Sequence, residues 1–400
     1  MGALDIAVAG CGPAGLAAAL LLHRDGHRVH LFERFDAPKP IGSGLMIQPT
    51  GLAVLRQLGL DTEAISRGAR VDRLFGRAGV DGPTVLDVRY SALPQQNGFG
   101  LGIHRASLFG ILYDAVTVEG IEVLTGRPIA GSRLDQQERR HLVFGDGSRE
   151  GPFDLIVDAL GTRTPLAPDA GKALAYGALW CSLDWPDNAP LDERALEQRY
   201  RAASVMAGVL PIGKSPGRAR PQAAFFWSLR ADRLDEWKSA GLADWKTDVR
   251  GLWPQCECLL DQIHDHGQLT FARYIHRTLR RSVETGVIHI GDAWHSTSPQ
   301  LGQGANMALL DAFALSLALS REPTLAAGLA SAVRLRRRHV GLYQQMSAWL
   351  TPVYQSDSRV LPFVRDWLVG PISKLWPATW LQAAMVSGLV GGPLRKLGLE

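Results

Sequence analysis

The apolar positions change period several times along the chain, and each change predicts an element. Asp5 to Ala9 is a short apolar run, the pattern of a strand buried on both faces of a parallel sheet. A glycine-rich turn follows, and then Leu16 to Leu22 is helical in composition. Gly26 ends that helix and Val29 to Glu33 reads as the next strand, which completes a βαβ unit. Gly51 to Gly59 predicts a glycine-capped helix, and His104 to Val116 a second, amphipathic one. Strand patterns occupy Val71 to Tyr90, with interruptions, then Ile121 to Leu124, Leu134 to Phe144 and Leu155 to Val157. Gly145-Asp146-Gly147 marks a turn.

From about Tyr176 to Phe271 aromatic and polar residues alternate, which predicts an antiparallel sheet with one helix near Asp232 to Trp245. In a strand, Phe225 and Trp227 share one face and Phe226 and Ser228 the other, and parity alone does not say which face turns inward. Val287 to Ile290 is again a buried strand, and a helix runs from about Gly304 to Leu319. Beyond Ser331 the pattern is helical. Arg334 to His339 reads as a solvated helix face. Leu375 to Leu394 is apolar but broken by Pro377, Gly388, Gly391, Gly392 and Pro393. Its first reading is a C-terminal helix packed on the rest, and its second is peripheral membrane contact.

Four hundred residues exceed what a single core usually supports, so two intertwined lobes are expected. The formal charge of +4 is too small to argue for nucleic acid. Four cysteines without a CxxC pair give neither a disulfide framework nor a zinc site, and Cys256-Glu257-Cys258 reads as incidental. No cluster at ligand spacing calls for a metal. There is no secretory leader pattern and no 18-residue apolar run, so the expectation is a cytoplasmic protein without a transmembrane segment, monomeric or homodimeric.

Chemistry enters at Gly10-Cys11-Gly12-Pro13-Ala14-Gly15. Gly10 allows the tight turn from strand to helix, Gly12 lets the backbone approach a pyrophosphate, and Gly15 lets the helix pack on the strand. The helix start at Pro13 and Ala14 offers N–H donors and the positive end of a dipole. Glu33, followed by Arg34, ends the next strand and can accept from ribose hydroxyls. FAD and NAD both fit this half.

A second segment, Gly291-Asp292-Ala293-Trp294-His295-Ser296-Thr297-Ser298-Pro299-Gln300-Leu301-Gly302-Gln303-Gly304-Ala305-Asn306, follows a buried strand and enters a helix. It resembles the Gly-Asp motif of the single-component (group A, para-hydroxybenzoate hydroxylase-like) FAD-dependent aromatic monooxygenases. The resemblance implies that Asp292 bonds the ribityl chain of FAD and that Pro299 lies beside the flavin ring. It also implies that backbone N–H groups from Gly304, Ala305 and Asn306, after the turn at Gly302, face the ring's N1 and O2 edge. A helix N-terminus there would stabilise the negative charge of reduced flavin. Asp158-Ala159-Leu160-Gly161 resembles the family's DG motif but departs from it. Leu160 stands where the Asp is expected, Asp158 occupies a usual glycine position, and the departure bears on NAD(P)H handling. Arg105 matches a cofactor-contacting arginine, and Gly42-Ser43-Gly44 a loop beside the ring, with Gly44 in contact.

The resemblance implies an α/β fold: a Rossmann-like ββα three-layer FAD-binding domain, an inserted mainly antiparallel β-sheet substrate domain and C-terminal helices. The expected boundaries are 1–75, 101–172 and 276–330 for the FAD-binding domain, 76–100 for a substrate-lobe hairpin, 173–275 for the substrate domain and 331–400 for the helical region. It implies hydroxylation of an electron-rich aromatic or heteroaromatic molecule through a C4a-hydroperoxyflavin, with O2 and with NADH or NADPH as reductant. A flavin reductase or dehydrogenase without oxygen insertion is the alternative. A structural flavin protein and a flavin halogenase are lesser ones, and the halogenase Trp-x-Trp-x-x-Pro signature is absent. Trp180, Phe225, Trp227 and Pro299 are candidates for the substrate pocket. No side chain is assigned as a catalytic acid or base, and His295 is read as a structural hydrogen-bonding residue.

Overall fold

A computed structural model describes residues 1–37, 42–94, 98–168, 171–369 and 375–400. Residues 95–97 of the expected hairpin and 370–374 of the C-terminal region therefore lie outside the described residues. Two sheets organise the chain. The first has six strands in the order Val283–Glu284, Val287–His289, Leu155–Asp158, Asp5–Ala9, Arg28–Phe32, Glu122–Leu124. Its pairings are parallel except for the short edge strand Val283–Glu284. The apolar runs occupy its buried centre, and Ile6, Val8, Leu155 and Val157 pack against helices Pro13–Arg24 and Gly304–Arg321. On the opposite face, Phe32, Phe144 and Phe153 join this sheet to a three-stranded one formed by Ile129–Leu134, Arg140–Phe144 and Arg149–Phe153. The expected strand Leu134 to Phe144 is thus two strands. The Asp135 carboxylate accepts the Gln137 and Arg139 N–H groups and closes the turn between them.

The second sheet has eight strands in the order His295–Ser296, Thr270–Thr278, Gly171–Asp184, Gln222–Arg230, Val205–Pro211, Ala195–Arg201, Arg73–Ala78, Thr84–Arg89. It is antiparallel apart from the parallel pair Ala195–Arg201 with Arg73–Ala78. The sheet reaches past the expected boundaries at four places. Arg73–Ala78 begins before residue 76, Gly171–Asp184 begins before 173, Thr270–Thr278 runs past 275, and His295–Ser296 is added from within the Gly-Asp segment. The two lobes therefore share backbone hydrogen bonds.

The parity question resolves in the packing. Phe225 and Trp227 are buried with Leu179, Trp237, Trp245 and Trp253, on the face covered by helices Leu234–Ala240 and Leu242–Leu252. The expected single helix is two, broken at Gly241, whose φ of 90° lies outside the helical range. The other face carries Trp180 and Phe226, with ring centroids 4.7 Å apart. Ala224, Leu210 and Ile212 lie on this face too, and Ala383, Ala384 and Val386 from helix Ala378–Val386 close over them. Phe225 and Trp227 therefore belong to the core behind the sheet, and Trp180 to its inner face.

Trp245 meets Phe225, Trp227 and Trp237 edge-on at 6.1, 6.3 and 6.1 Å between centroids. Trp245→Ala should lower unfolding stability by about 3–5 kcal/mol, read from denaturant titration.

Candidate functional site

Four of the motifs singled out in the sequence follow the carboxyl end of a strand in the parallel sheet, where open α/β sheets bind ligands, whereas Gly44 and Arg105 stand at the ends of strands in a small separate sheet of Gly44–Ile47, Gly100–His104 and Ala69–Val71. The Gly10–Gly15 turn follows Asp5–Ala9, Glu33 follows Arg28–Phe32, Ala159–Thr164 follows Leu155–Asp158, and Gly291–Asn306 follows Val287–His289. Backbone bonds hold these loops side by side: Gly10 N–H to Phe32 O at 2.8 Å, Ala159 N–H to Ala9 O at 2.9 Å, and Ile290 N–H to Asp158 O at 3.0 Å.

The glycines divide into two groups. A Cβ on Gly10 would stand 2.7 Å from Ala159 O, one on Gly15 1.9 Å from Gly10 O, and one on Gly44 2.5 Å from Ile212. These three are glycine because protein packs against them. Gly291, at φ 57°, is similarly pressed between Ala308 and Ala14. Gly12, Gly161 and Gly304 have no atom within 4 Å of such a Cβ. Their backbones are open at the N-terminus of helix Pro13–Arg24, in the altered DG segment and at the N-terminus of helix Gly304–Arg321. A cofactor with a pyrophosphate and an extended ring system fits such a cradle. Glu33 accepts Cys11 N–H at 3.1 Å and Arg34 N–H at 2.8 Å, while Arg34 itself is exposed over the Phe35 ring.

Asp292 is open to solvent, and among the described residues no donor bonds its carboxylate. Protein surrounds it even so, and that surround raises its pKa above the ordinary value, with His295 and Arg105 opposing the rise. A solvent-open group enclosed by protein lines a cleft. Arg105 is exposed, lies against Gly42 and carries its charge toward both Asp292 and Tyr274. Pro299 is exposed, Gly302 is left-handed at φ 61°, and Ala305 is half-buried. The Asn306 side chain is consumed internally. It accepts Gln48 N–H at 2.8 Å and donates to Met46 O and Gly302 O, so any contribution beyond this is its backbone N–H.

Tyr274, Gln48 and Arg277 carried no sequence signal. Tyr274 faces inward, its oxygen accepts the Trp180 indole N–H at 3.2 Å, and burial pushes its pKa up to about 12, so it stays a donor. Gln48 accepts Tyr90 O–H at 2.6 Å, and its own amide nitrogen, near Gly302, has no partner among the described residues. Arg277, fully buried, donates to Ala293 O, Thr162 O and Pro168 O and so binds two motif loops together. Asp158 accepts Leu160 N–H at 3.0 Å and Thr164 O–H at 2.7 Å and pairs with buried His289 at 2.6 Å. The unusual Asp at this position thus has an internal role, holding the loop before Gly161.

The Arg334–His339 stretch corrects the sequence reading. Arg336 and His339 are buried, not solvated. Arg336 donates to Asp311 at 2.7 Å and to His339 Nδ1 at 2.9 Å, and His339 Nε2 lies 3.0 Å from Gly388 O. Asp311 also accepts Gly291 N–H at 2.9 Å and bonds His295 at 2.6 Å. His295 is accordingly bonded to protein and buried beside the Gly-Asp turn. Burial alone would raise the Asp311 pKa, but the His295 and Arg336 partners overcome that and hold it at about 2. Burial, then Arg336, lowers His339 to about 3.

These values set a pH dependence. The unfolded chain protonates His339 near its ordinary 6.5 and the folded chain only near 3. More protons bind the unfolded state between those limits, so stability should fall as pH drops through that window. The Asp311 contribution is complete above its ordinary 3.8 and is lost as pH falls toward 2. His339→Gln should flatten the upper part of this dependence in thermal unfolding followed against pH.

Comparison with known proteins places the geometry. A sequence profile described as "FAD binding domain" matches residues 3–340. The chain is 28% identical over 349 residues to 6-methylpretetramide 4-monooxygenase of Streptomyces rimosus, covering 84% of this chain and 80% of that one. It is 26% identical over 377 residues to aurachin C monooxygenase/isomerase of Stigmatella aurantiaca, covering 86% and 90%. The fold is similar to that of Klebsiella pneumoniae HpxO complexed with FAD and uric acid, with a TM-score of 0.80 and 19% identity over 98% of each chain.

Proposed function

Because the chain belongs to the FAD binding domain family and the relatives compared above are monooxygenases, we propose that it hydroxylates an electron-rich aromatic or heteroaromatic small molecule with O2 and NADH or NADPH. The observation that carries this reading is the set of open glycine backbones, Gly12, Gly161 and Gly304, along the carboxyl edge of the parallel sheet. Bound FAD would supply the electron transfer and oxygen activation. Gly12 with the following helix N-terminus would take the pyrophosphate, Glu33 the ribose, and Asp292 the ribityl hydroxyls. The free N–H groups of Gly304, Ala305 and Asn306 would hold negative charge on the reduced ring.

The substrate would lie against the inner face of the eight-stranded sheet. Trp180, Phe226, Ala224 and Leu210 make that wall apolar, and helix Ala378–Val386 closes it. Such walls exclude water from the reacting atoms. Tyr274 O–H is left to donate to a polar substituent, because its oxygen already accepts from Trp180. A cytoplasmic location, with its supply of reduced nicotinamide, fits this reading. The alternative of a flavin dehydrogenase differs in one measurable respect, oxygen consumption.

Purified protein should be yellow, and an aromatic panel should include compounds that accelerate NAD(P)H oxidation with matching O2 uptake and hydroxylated product. Stoichiometric peroxide with every compound would overturn the proposal. Gly12→Val should leave the thermal midpoint of the apoprotein unchanged and abolish FAD binding, since the added side chain meets no protein atom within 4 Å of its Cβ. Asp292→Ala should weaken FAD retention on dialysis. Tyr274→Phe should raise KM for the best substrate about fivefold, the effect of one hydrogen bond of about 1 kcal/mol, while FAD content stays the same.

A further inference from the structure

Among the described residues, ten of the fifteen exposed large apolar side chains fall between positions 349 and 381. Trp349, Trp367 and Trp376 are 72%, 65% and 82% exposed, and Phe363 is 62% exposed. A chain of this size normally scatters such residues singly, and a concentration of them marks an interaction surface. The last seventy residues, which carry this stretch, are basic as a whole. Residues 331–400 hold nine Lys or Arg and only three Asp or Glu, although the whole chain carries a formal charge of just +4. Arg337, Arg338, Arg359, Arg395 and Lys396 are exposed and form no ion pair among the described residues, and Arg338 shares one face of helix Leu325–Tyr354 with Trp349. No helix among the described residues is long and apolar enough to cross a membrane.

We propose that this C-terminal surface docks on the headgroup region of an anionic lipid bilayer, the tryptophans entering the interface and the basic residues meeting lipid phosphates. Exposed tryptophan beside Lys and Arg is the composition that suits a membrane interface, where the indole is half-buried and its N–H stays hydrated. A second copy of the chain fits less well. A two-fold contact sets a patch against itself, so the basic residues would face their own kind. Helix Ala378–Val386 connects this surface to the chamber. Trp380 and Leu381 are exposed, while Ala383, Ala384 and Val386 pack on the inner face of the eight-stranded sheet. One helix thus forms both the docking face and a wall of the proposed substrate site. The docking itself does not depend on the substrate reading, because it is measured without turnover.

The test is sedimentation of the full-length, flavin-loaded protein with vesicles. One set is equal parts phosphatidylcholine and phosphatidylglycerol, the other phosphatidylcholine alone. The expected result is binding to the anionic vesicles, weakened by added salt, with a blue shift of tryptophan fluorescence. The double substitution Trp367→Ser with Trp376→Ser should reduce partitioning about tenfold or more while flavin content and thermal midpoint stay unchanged, because both side chains are exposed. Absence of binding to either vesicle would overturn the proposal, as would binding that the double variant retains in full. A protein that ignores vesicles but changes from dimer to monomer on the double substitution would assign the surface to a contact between copies and equally overturn it.

Discussion

The buried carboxylate of Asp311 is the point on which the rest of the site depends. It lies in helix Gly304–Arg321 and takes the Gly291 N–H, His295 and Arg336 on its two oxygens. Gly291 and His295 flank Asp292, so the helix that begins with the open backbone at Gly304 also fixes the loop carrying the exposed acid. A buried charge is costly unless it is paired and hydrogen-bonded. Here three donors meet it, and the loop geometry is what that pairing fixes. Arg336 then passes the constraint to His339 and on to Gly388, so the last segment of the chain is tied to the same carboxylate.

A second buried cation, Arg277, acts in parallel. Its donors go to backbone carbonyls at Ala293, Thr162 and Pro168, which satisfies acceptors that two irregular loops would otherwise bury unpaired. Because Arg277 stands in a strand of the eight-stranded sheet, the sheet is joined to the loops of the other lobe. Backbone pairing of Thr278 with His295 makes the same connection. The two lobes are therefore held at the candidate site, and not only by apolar contact between them.

The eight-stranded sheet separates two environments by side-chain parity. Phe225 and Trp227 are packed in a tryptophan-rich core beneath helices, which gives the sheet a rigid back. Trp180, Phe226 and Tyr274 look the other way, toward the face that helix Ala378–Val386 covers. That cover is made by the part of the chain with the most exposed apolar surface. The C-terminal region thus completes the chamber and presents its own outer face to whatever lies outside.

The sequence by itself determined what depends on local spacing. Period and glycine placement gave the parallel strands and the turn at Gly10–Gly15. The run from Gly291 to Asn306 pointed to FAD through its resemblance to a family motif, which is a contiguous stretch and so is readable without the fold. Only the tertiary structure decided matters of facing and burial. Which of Phe225 and Phe226 looks inward is identical in a period-two pattern and is set by which face the helices cover. Arg336 and His339 read as solvated because an arginine run usually is, and they are buried because Asp311, 25 residues from Arg336, supplies the compensating charge. Asp158 looked like a defect in a motif and is explained by His289, 131 residues away. Long-range pairing of polar groups leaves no periodic trace in a sequence, and that is why those residues became legible only when the chain was folded.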